Sequence, residues 1–126
     1  MYAIGDVELP TNLLLAPIAG FCDLAFRLVV RSVKGREGHG TVGLTSTDLL
    51  CPHAILKEND KTQWLAATSP LDQPVCMQLY GRHPDTLCQA ALWAEAHGAC
   101  VIDLNMGCPV DKVTKKNGGS KLLTEP

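Results

Sequence analysis

The part of the chain best equipped for chemistry is a cysteine set between a glycine and a proline. Asn105 stands three residues before it, and Lys112, Lys115, Lys116 and Lys121 follow it closely. The stretch Val101–Pro109 begins as a short apolar run and breaks off at Gly107-Cys108-Pro109. Such a run, preceded by a helical segment ending at Gly98, predicts a buried parallel strand. Gly107 relaxes the backbone limits, whereas Pro109 fixes its own φ and restricts Cys108 before it. The Cys108 thiol is thereby held on a stiff loop at the carboxyl end of a strand, the end at which α/β folds bind ligands. A free cysteine is more often inert packing. The polar, basic, glycine-rich run Asp111–Ser120 that follows argues against packing alone.

Other chemistry-bearing residues fall at comparable places. In Pro74–Gly81 side chains alternate, so Cys76 and Gln78 share a face opposite Val75, Met77 and Leu79. Gln78 is then an inward amide near a strand's carboxyl end. Its donor and acceptor need partners, either a core hydrogen bond or the paired N–H and C=O edge of a ligand. If Asn105 faces the mouth, Asp103 and Val101 share its face, and an inward Asp103 must be paired or hydrogen-bonded. Pro17-Ile18-Ala19-Gly20 is a loop of mostly small residues, a structural turn or a surface on which a flat ligand lies. Asp48, at another strand exit, either caps a helix or lines a site, with the cap favoured. Cys51-Pro52-His53 puts a thiol near an imidazole, but no further ligand stands at a metal-site spacing, so no metal is expected. Lys112, Lys115 and Lys116 share a face if residues 112–116 are helical. They make either a solvated surface or a local basic patch.

The elements that position these groups alternate. Two short apolar arms around Gly5-Asp6 predict a β-hairpin. Leu13–Ala16 reads as a first buried strand. Asp23 caps a helix from Leu24 to about Val33 with Leu24, Leu28 and Val29 facing in. Lys34–Gly40 reads as a surface loop and Thr41–Ser46 as a second strand, with Val42 and Leu44 on one side. Lys57–Ser69 reads as an irregular helical segment and Pro74–Gly81 as a third strand. A helix opens at Pro84 and Asp85, carries an apolar stripe of Leu87, Cys88, Ala91, Leu92 and Ala94, and ends at Gly98. After the fourth strand, Leu122-Leu123 starts a fourth helix. Strand–helix alternation gives a parallel sheet with right-handed crossovers. The expected architecture is α/β, the first four βα units of a TIM (β/α)₈ barrel, incomplete, preceded by a short hairpin. A whole barrel takes about 250 residues, so a chain of 126 residues reads as the N-terminal part of a single catalytic domain.

Composition bounds the partners. The formal net charge is -2, which argues against binding nucleic acid by overall charge. No apolar run approaches the roughly 18 residues of a membrane span, and no basic-then-apolar leader opens the chain. The six cysteines show no Cys-x-x-Cys pair and read as reduced thiols of a cytoplasmic protein.

Taken together, Leu15-Ala16-Pro17-Ile18-Ala19-Gly20 with Asp23, Phe26 and Arg27, Gln78-Leu79-Tyr80-Gly81, and Asp103–Pro109 with Lys115-Lys116 and Gly119-Ser120 resemble the tRNA-dihydrouridine synthases. The resemblance runs from about Ile4 to Pro126. It implies an oxidoreductase that uses FMN, with NADPH as reductant, to reduce the C5–C6 bond of particular uridines in tRNA. Cys108 would be the catalytic proton donor to C5. An unperturbed thiol, with a pKa of roughly 8.5, is mostly protonated at neutral pH and suits that role. The resemblance implies FMN contacts from Pro17, Ile18, Ala19 and Gln78. It also implies that Asn105 orients the target base and that Lys112, Lys115 and Lys116 lie near tRNA phosphates. A uridine must leave its stack to react. Ile18 stands where methionine is common, and Asn117-Gly118 where Gly-Ala is usual. The family's flavin-binding lysine, phosphate grip and helical tRNA-binding domain would lie beyond Pro126. This chain alone is therefore expected neither to hold FMN tightly nor to turn over. A dihydroorotate dehydrogenase-like flavin barrel is the nearest alternative, opposed by Val110 and the Lys-Lys loop. A non-catalytic RNA-binding module is opposed by the pI near 6.0 and an aromatic content of 5%. The geometric expectation is that the Cys108 thiol and the Gln78 amide look into a common cavity.

Overall fold

The structure, a computed structural model, describes residues 2–35 and 42–124. The expected loop over Arg36–Gly40 and the start of the second strand at Thr41 lie outside the described residues.

The hairpin forms as expected. Strands β1 (Tyr2–Ile4) and β2 (Val7–Leu9) pair antiparallel around Gly5, whose φ of 57° needs a residue without a Cβ. The main sheet holds β3 (Thr45–Ser46), β4 (Val75–Leu79) and β5 (Val101–Leu104) in that order, all parallel. Spatial order follows chain order, as it does when each strand returns through a crossover on the same side. Register sets Cys76 beside Val101, Gln78 beside Asp103 and Leu79 beside Leu104.

Leu13–Ala16 does not form the expected buried strand. It lies parallel beside the sheet through one bridge, Leu14 to Leu44, with Gly43 N–H donating to Leu13 O and Leu15 N–H to Leu44 O. Leu13 and Leu14 are 56% and 46% exposed. The segment sits where a first barrel strand would, but no packed layer among the described residues covers its outer side. What stands is an α/β fold with a three-stranded parallel sheet, compatible with part of a TIM barrel.

Five α-helices form among the described residues. These are α1 (Leu24–Ser32), α2 (Pro52–Leu56), α3 (Asp60–Leu65), α4 (Pro84–Ala96) and the short α5 (Asp111–Thr114). The last turns, Gly119–Thr124, are 3₁₀ in place of the expected fourth helix. Met77 and Leu79 of β4 enter a core with Leu50, Ile55, Ala90 and Ala94. Full burial of each large side chain contributes about 1.5–3 kcal/mol. On the opposite face Cys76 packs with Leu9 and Leu44, flanked by Val7 and Val101, so the hairpin closes the end of the sheet where the strands begin.

Two helix faces differ from expectation. In α4, Ala90 and Ala94 are the buried positions, while Leu92 is 61% exposed and Cys88 is also exposed. Alanines let the helix approach the sheet closely, and close approach outweighs bulk here. In α1, Asp23 caps as expected, accepting from Phe26 N–H at 2.8 Å. The residue turned fully inward is nevertheless Arg27, and Val29 is 62% exposed. Arg27 donates to Asp72 at 2.7 Å and to the carbonyls of Cys22 and Ala67 at 2.6 Å each. Arg31 and Thr45 complete the shell of Asp72 at 2.9 and 2.7 Å. A buried charge persists only when paired and fully hydrogen-bonded, and this cluster meets that condition.

Candidate functional site

The strand exits gather the candidate residues at one end of the sheet. Asn105 follows β5 and its side-chain carbonyl accepts from Gly107 N–H at 3.3 Å and from Cys108 N–H at 2.9 Å. That turn is available because a short side-chain amide can stand in for the backbone. The return leg is fixed too. Ser120 N–H donates to Cys108 O at 3.0 Å, and Gly119 has φ 60° where a Cβ, if present, would clash with the Cys108 carbonyl and Val113.

Cys108 is half-buried and lines a cavity of about 560 Å³, within the range of small-ligand sites. Ala19 and Gly20 line it from the first loop, Asp48 from the exit of β3, and Lys112 and Lys116 from the basic segment. Lys115 does not line it. One helical turn past Asp111, it makes an exposed ion pair with that carboxylate at 2.8 Å. The expected three-lysine face is thus two lysines at a spacing of four, with the third turned to its own helix.

Gln78 also does not line this cavity. It is 7% exposed and its amide is held on both sides. Its Nε2 donates to Asp103 at 2.5 Å, and its Oε1 accepts from Asn105 Nδ2 at 3.1 Å. The amide and the thiol are therefore joined through Asn105 and do not face one opening together. The inward Asp103 has the partner its position demanded.

Asp48 does not cap a helix; Cys51 occupies the position before α2. Asp48 accepts from Gly20 N–H and from Leu49 N–H, both at 2.7 Å, and so ties the loop 17–20 to the exit of β3. Behind that loop, Ile18 N–H reaches the sulfur of Cys22 at 3.2 Å. Pro17 is half-buried, whereas Ile18 and Ala19 are exposed. With Gly20 at φ 83° and open space around its α-carbon, the loop presents a thin, accessible backbone surface.

The thiols differ by environment. Burial, reinforced by the charge of Asp103, pushes Cys76 up to about 11. Burial also raises Cys22. Burial raises Cys51 as well, but a hydrogen bond from Tyr80, backbone N–H groups of Ala54 and His53 and the charge of Lys116 outweigh it, and its pKa falls below the ordinary value. Burial and the same bond to Cys51 push Tyr80 up to about 12. Cys51, Tyr80 and Lys116 also line an adjoining cavity of about 370 Å³. Among the described residues no group of three or more His, Cys, Asp and Glu side chains could hold a metal ion. No helix among them is long and apolar enough to cross a membrane.

Sequence reasoning missed several residues of this wall. Lys61, Thr62, Trp64 and Leu65 of α3 line the main cavity, as does Tyr80. Nothing local marks them.

Comparison with known proteins bears on all of these segments. Residues 14–126 match the family model described as dihydrouridine synthase (Dus). A probable tRNA-dihydrouridine synthase 1 of Synechocystis sp. is 36% identical over 123 residues, covering 98% of this chain and 33% of its own length. A probable tRNA-dihydrouridine synthase of Mycobacterium tuberculosis is 36% identical over 120 residues, covering 94% and 31%. The tRNA-dihydrouridine synthase B of Shewanella oneidensis is 35% identical over 123 residues, covering 98% and 36%. The chain spans about a third of the length of the curated relatives it matches. Since the matched stretch takes in the loop after Leu15, the sheet, the cysteine turn and the lysine segment alike, the chain belongs to the dihydrouridine synthase family.

Proposed function

We propose that this chain is the N-terminal part of a tRNA-dihydrouridine synthase, the first four βα units of a barrel completed by a second half and followed by a helical tRNA-binding domain. The observation that carries the reading is Cys108 on the wall of one cavity with Lys112 and Lys116, within a segment that matches the family. A thiol and two cations around one opening suit a substrate that is both anionic and in need of a proton.

The loop 17–20 and the Gln78 amide fit FMN. Ile18 and Ala19 offer accessible surface for a flat ring beside the half-buried Pro17, and Gln78, oriented by Asp103 and Asn105, keeps one N–H and one acceptor lone pair for the ring's edge. When bound, FMN supplies hydride to C6 of the uracil, drawn in turn from NADPH. The chain's own residues supply the rest. Cys108 donates its thiol proton to C5. Asn105 aims that thiol by holding the backbone N–H of Cys108 and meets the base with what its amide leaves free. Lys112 and Lys116, with Lys115 further out, neutralise phosphates of a tRNA whose uridine has left its stack. The enzyme acts on tRNA in the cytoplasm.

Cys108→Ala in the full-length protein tests the reading. A positioned general acid contributes about 10²–10⁴-fold, so dihydrouridine formation should fall by that range while tRNA binding holds. Unchanged product would defeat the assignment.

A further inference from the structure

Besides Cys108, the cavity is lined by α3, whose groups have no part in the proposed proton transfer. Lys61 and Trp64 stand three residues apart on that helix and both line the cavity. Positions at this spacing share a face. Trp64 is 59% exposed while also lining the cavity. The wall is also cationic in effect. Lys61, Lys112 and Lys116 face it, and no ion pair joins any of the three to a carboxylate among the described residues. The carboxylates on the same wall, Asp23 and Asp48, accept backbone N–H groups.

An aromatic face among lysines suits a base and its phosphate better than a peptide or a lipid. Bases of any identity stack on such a ring, and ammonium groups neutralise the backbone beside it. Extruding a uridine leaves its neighbour without a stacking partner. We propose that Trp64 and Lys61 form a subsite for the nucleotide flanking the target uridine, its base stacked on the indole and its phosphate held by Lys61. The proposal rests on the tRNA reading above and extends it to a helix that the cysteine, flavin and lysine assignments leave out.

The test uses full-length protein, with tRNA binding measured across salt concentrations and single-turnover dihydrouridine formation at saturating tRNA. Trp64→Ala should raise the tRNA Kd about 10-fold, a larger effect than on the saturating rate, whereas Trp64→Phe should bind within about 3-fold of wild type, because the ring face is retained. Lys61→Ala should reduce the slope of log K against log salt by about one phosphate contact. Trp64→Ala binding tRNA as wild type does would overturn the subsite. So would equal losses for Trp64→Ala and Trp64→Phe accompanied by a lowered Tm, which would mean that another part of the protein covers the ring. A wild-type protein that binds no tRNA would overturn the parent reading and this one with it. A wild type that binds and converts tRNA beside an unimpaired Trp64→Ala would overturn only the subsite.

Discussion

Arg27→Met removes the guanidinium at the centre of the buried polar cluster. Three bonds go with it, to Asp72 at 2.7 Å and to the Cys22 and Ala67 carbonyls at 2.6 Å. Asp72 is not orphaned, because Arg31 and Thr45 still donate to it at 2.9 and 2.7 Å. The Cys22 carbonyl loses this donor inside the protein, and a stranded buried acceptor costs about 1–3 kcal/mol. Breaking a buried ion pair from one side costs about 3–5 kcal/mol in all. The retained partners of Asp72 place the expectation at the lower end, about 3 kcal/mol. Arg27→Lys keeps the charge but cannot span three acceptors set around a planar fork, and should lose about 2 kcal/mol. Urea unfolding of the full-length protein reads both variants as shifts in midpoint at unchanged m. A loss below about 1 kcal/mol for Arg27→Met, or a lysine variant no better than the methionine one, would refute the reasoning. The damage should also reach beyond stability. Cys22 holds Ile18 and Ala16 through its sulfur, so slackening Arg27 loosens the exposed loop at the mouth.

Two further outcomes follow from the site. Gly119→Ala places a methyl against the Cys108 carbonyl at a φ of 60°, so under the proposed function dihydrouridine formation by the full-length protein should fall at least 10-fold while tRNA Kd changes far less; equal losses in both would place the damage elsewhere. Alkylation by iodoacetamide, read residue by residue, should titrate at Cys51 with a midpoint below that of an ordinary thiol, since the Tyr80 hydroxyl donates to the thiolate and favours the charged form. Removing that donor in Tyr80→Phe should move the midpoint up. Cys76, raised to about 11, should stay unmodified throughout.

The sequence was most legible where one physical rule acted alone. The alternation in β4 correctly sorted Met77 and Leu79 from Cys76 and Gln78, and the Asp23 cap and the first-turn Pro84 correctly marked the starts of α1 and α4. Reading failed where a partner distant in the chain decided the outcome. Asp72 lies 45 residues from Arg27, so hydrophobicity within α1 could not reveal that an arginine faces inward. In α4 the tight approach to the sheet selected Ala90 over Leu92, and that fit depends on the surface of the sheet. Of the two readings of Asp48, the favoured cap fails and the site-lining one stands, because its partner Gly20 lies 28 residues away on another loop. Lys115 departs for a local reason, pairing with Asp111 one helical turn back while Lys112 and Lys116 line the cavity. The cysteine turn was legible because glycine, proline and asparagine act on their own backbone.

That turn has a mechanical side. The Cys108 peptide is pinned through its N–H by Asn105 and through its C=O by Ser120, so residues 109–119 form a noose drawn shut at the cysteine. Val113 and Gly118 within it are buried, while Lys112 and Lys116 stay exposed on its outside. A polyanion tugging on Lys112 or Lys116, out on the noose, would be felt as torque at the sulfur. Grip on the nucleic acid and aim of the thiol would then be two ends of a single lever.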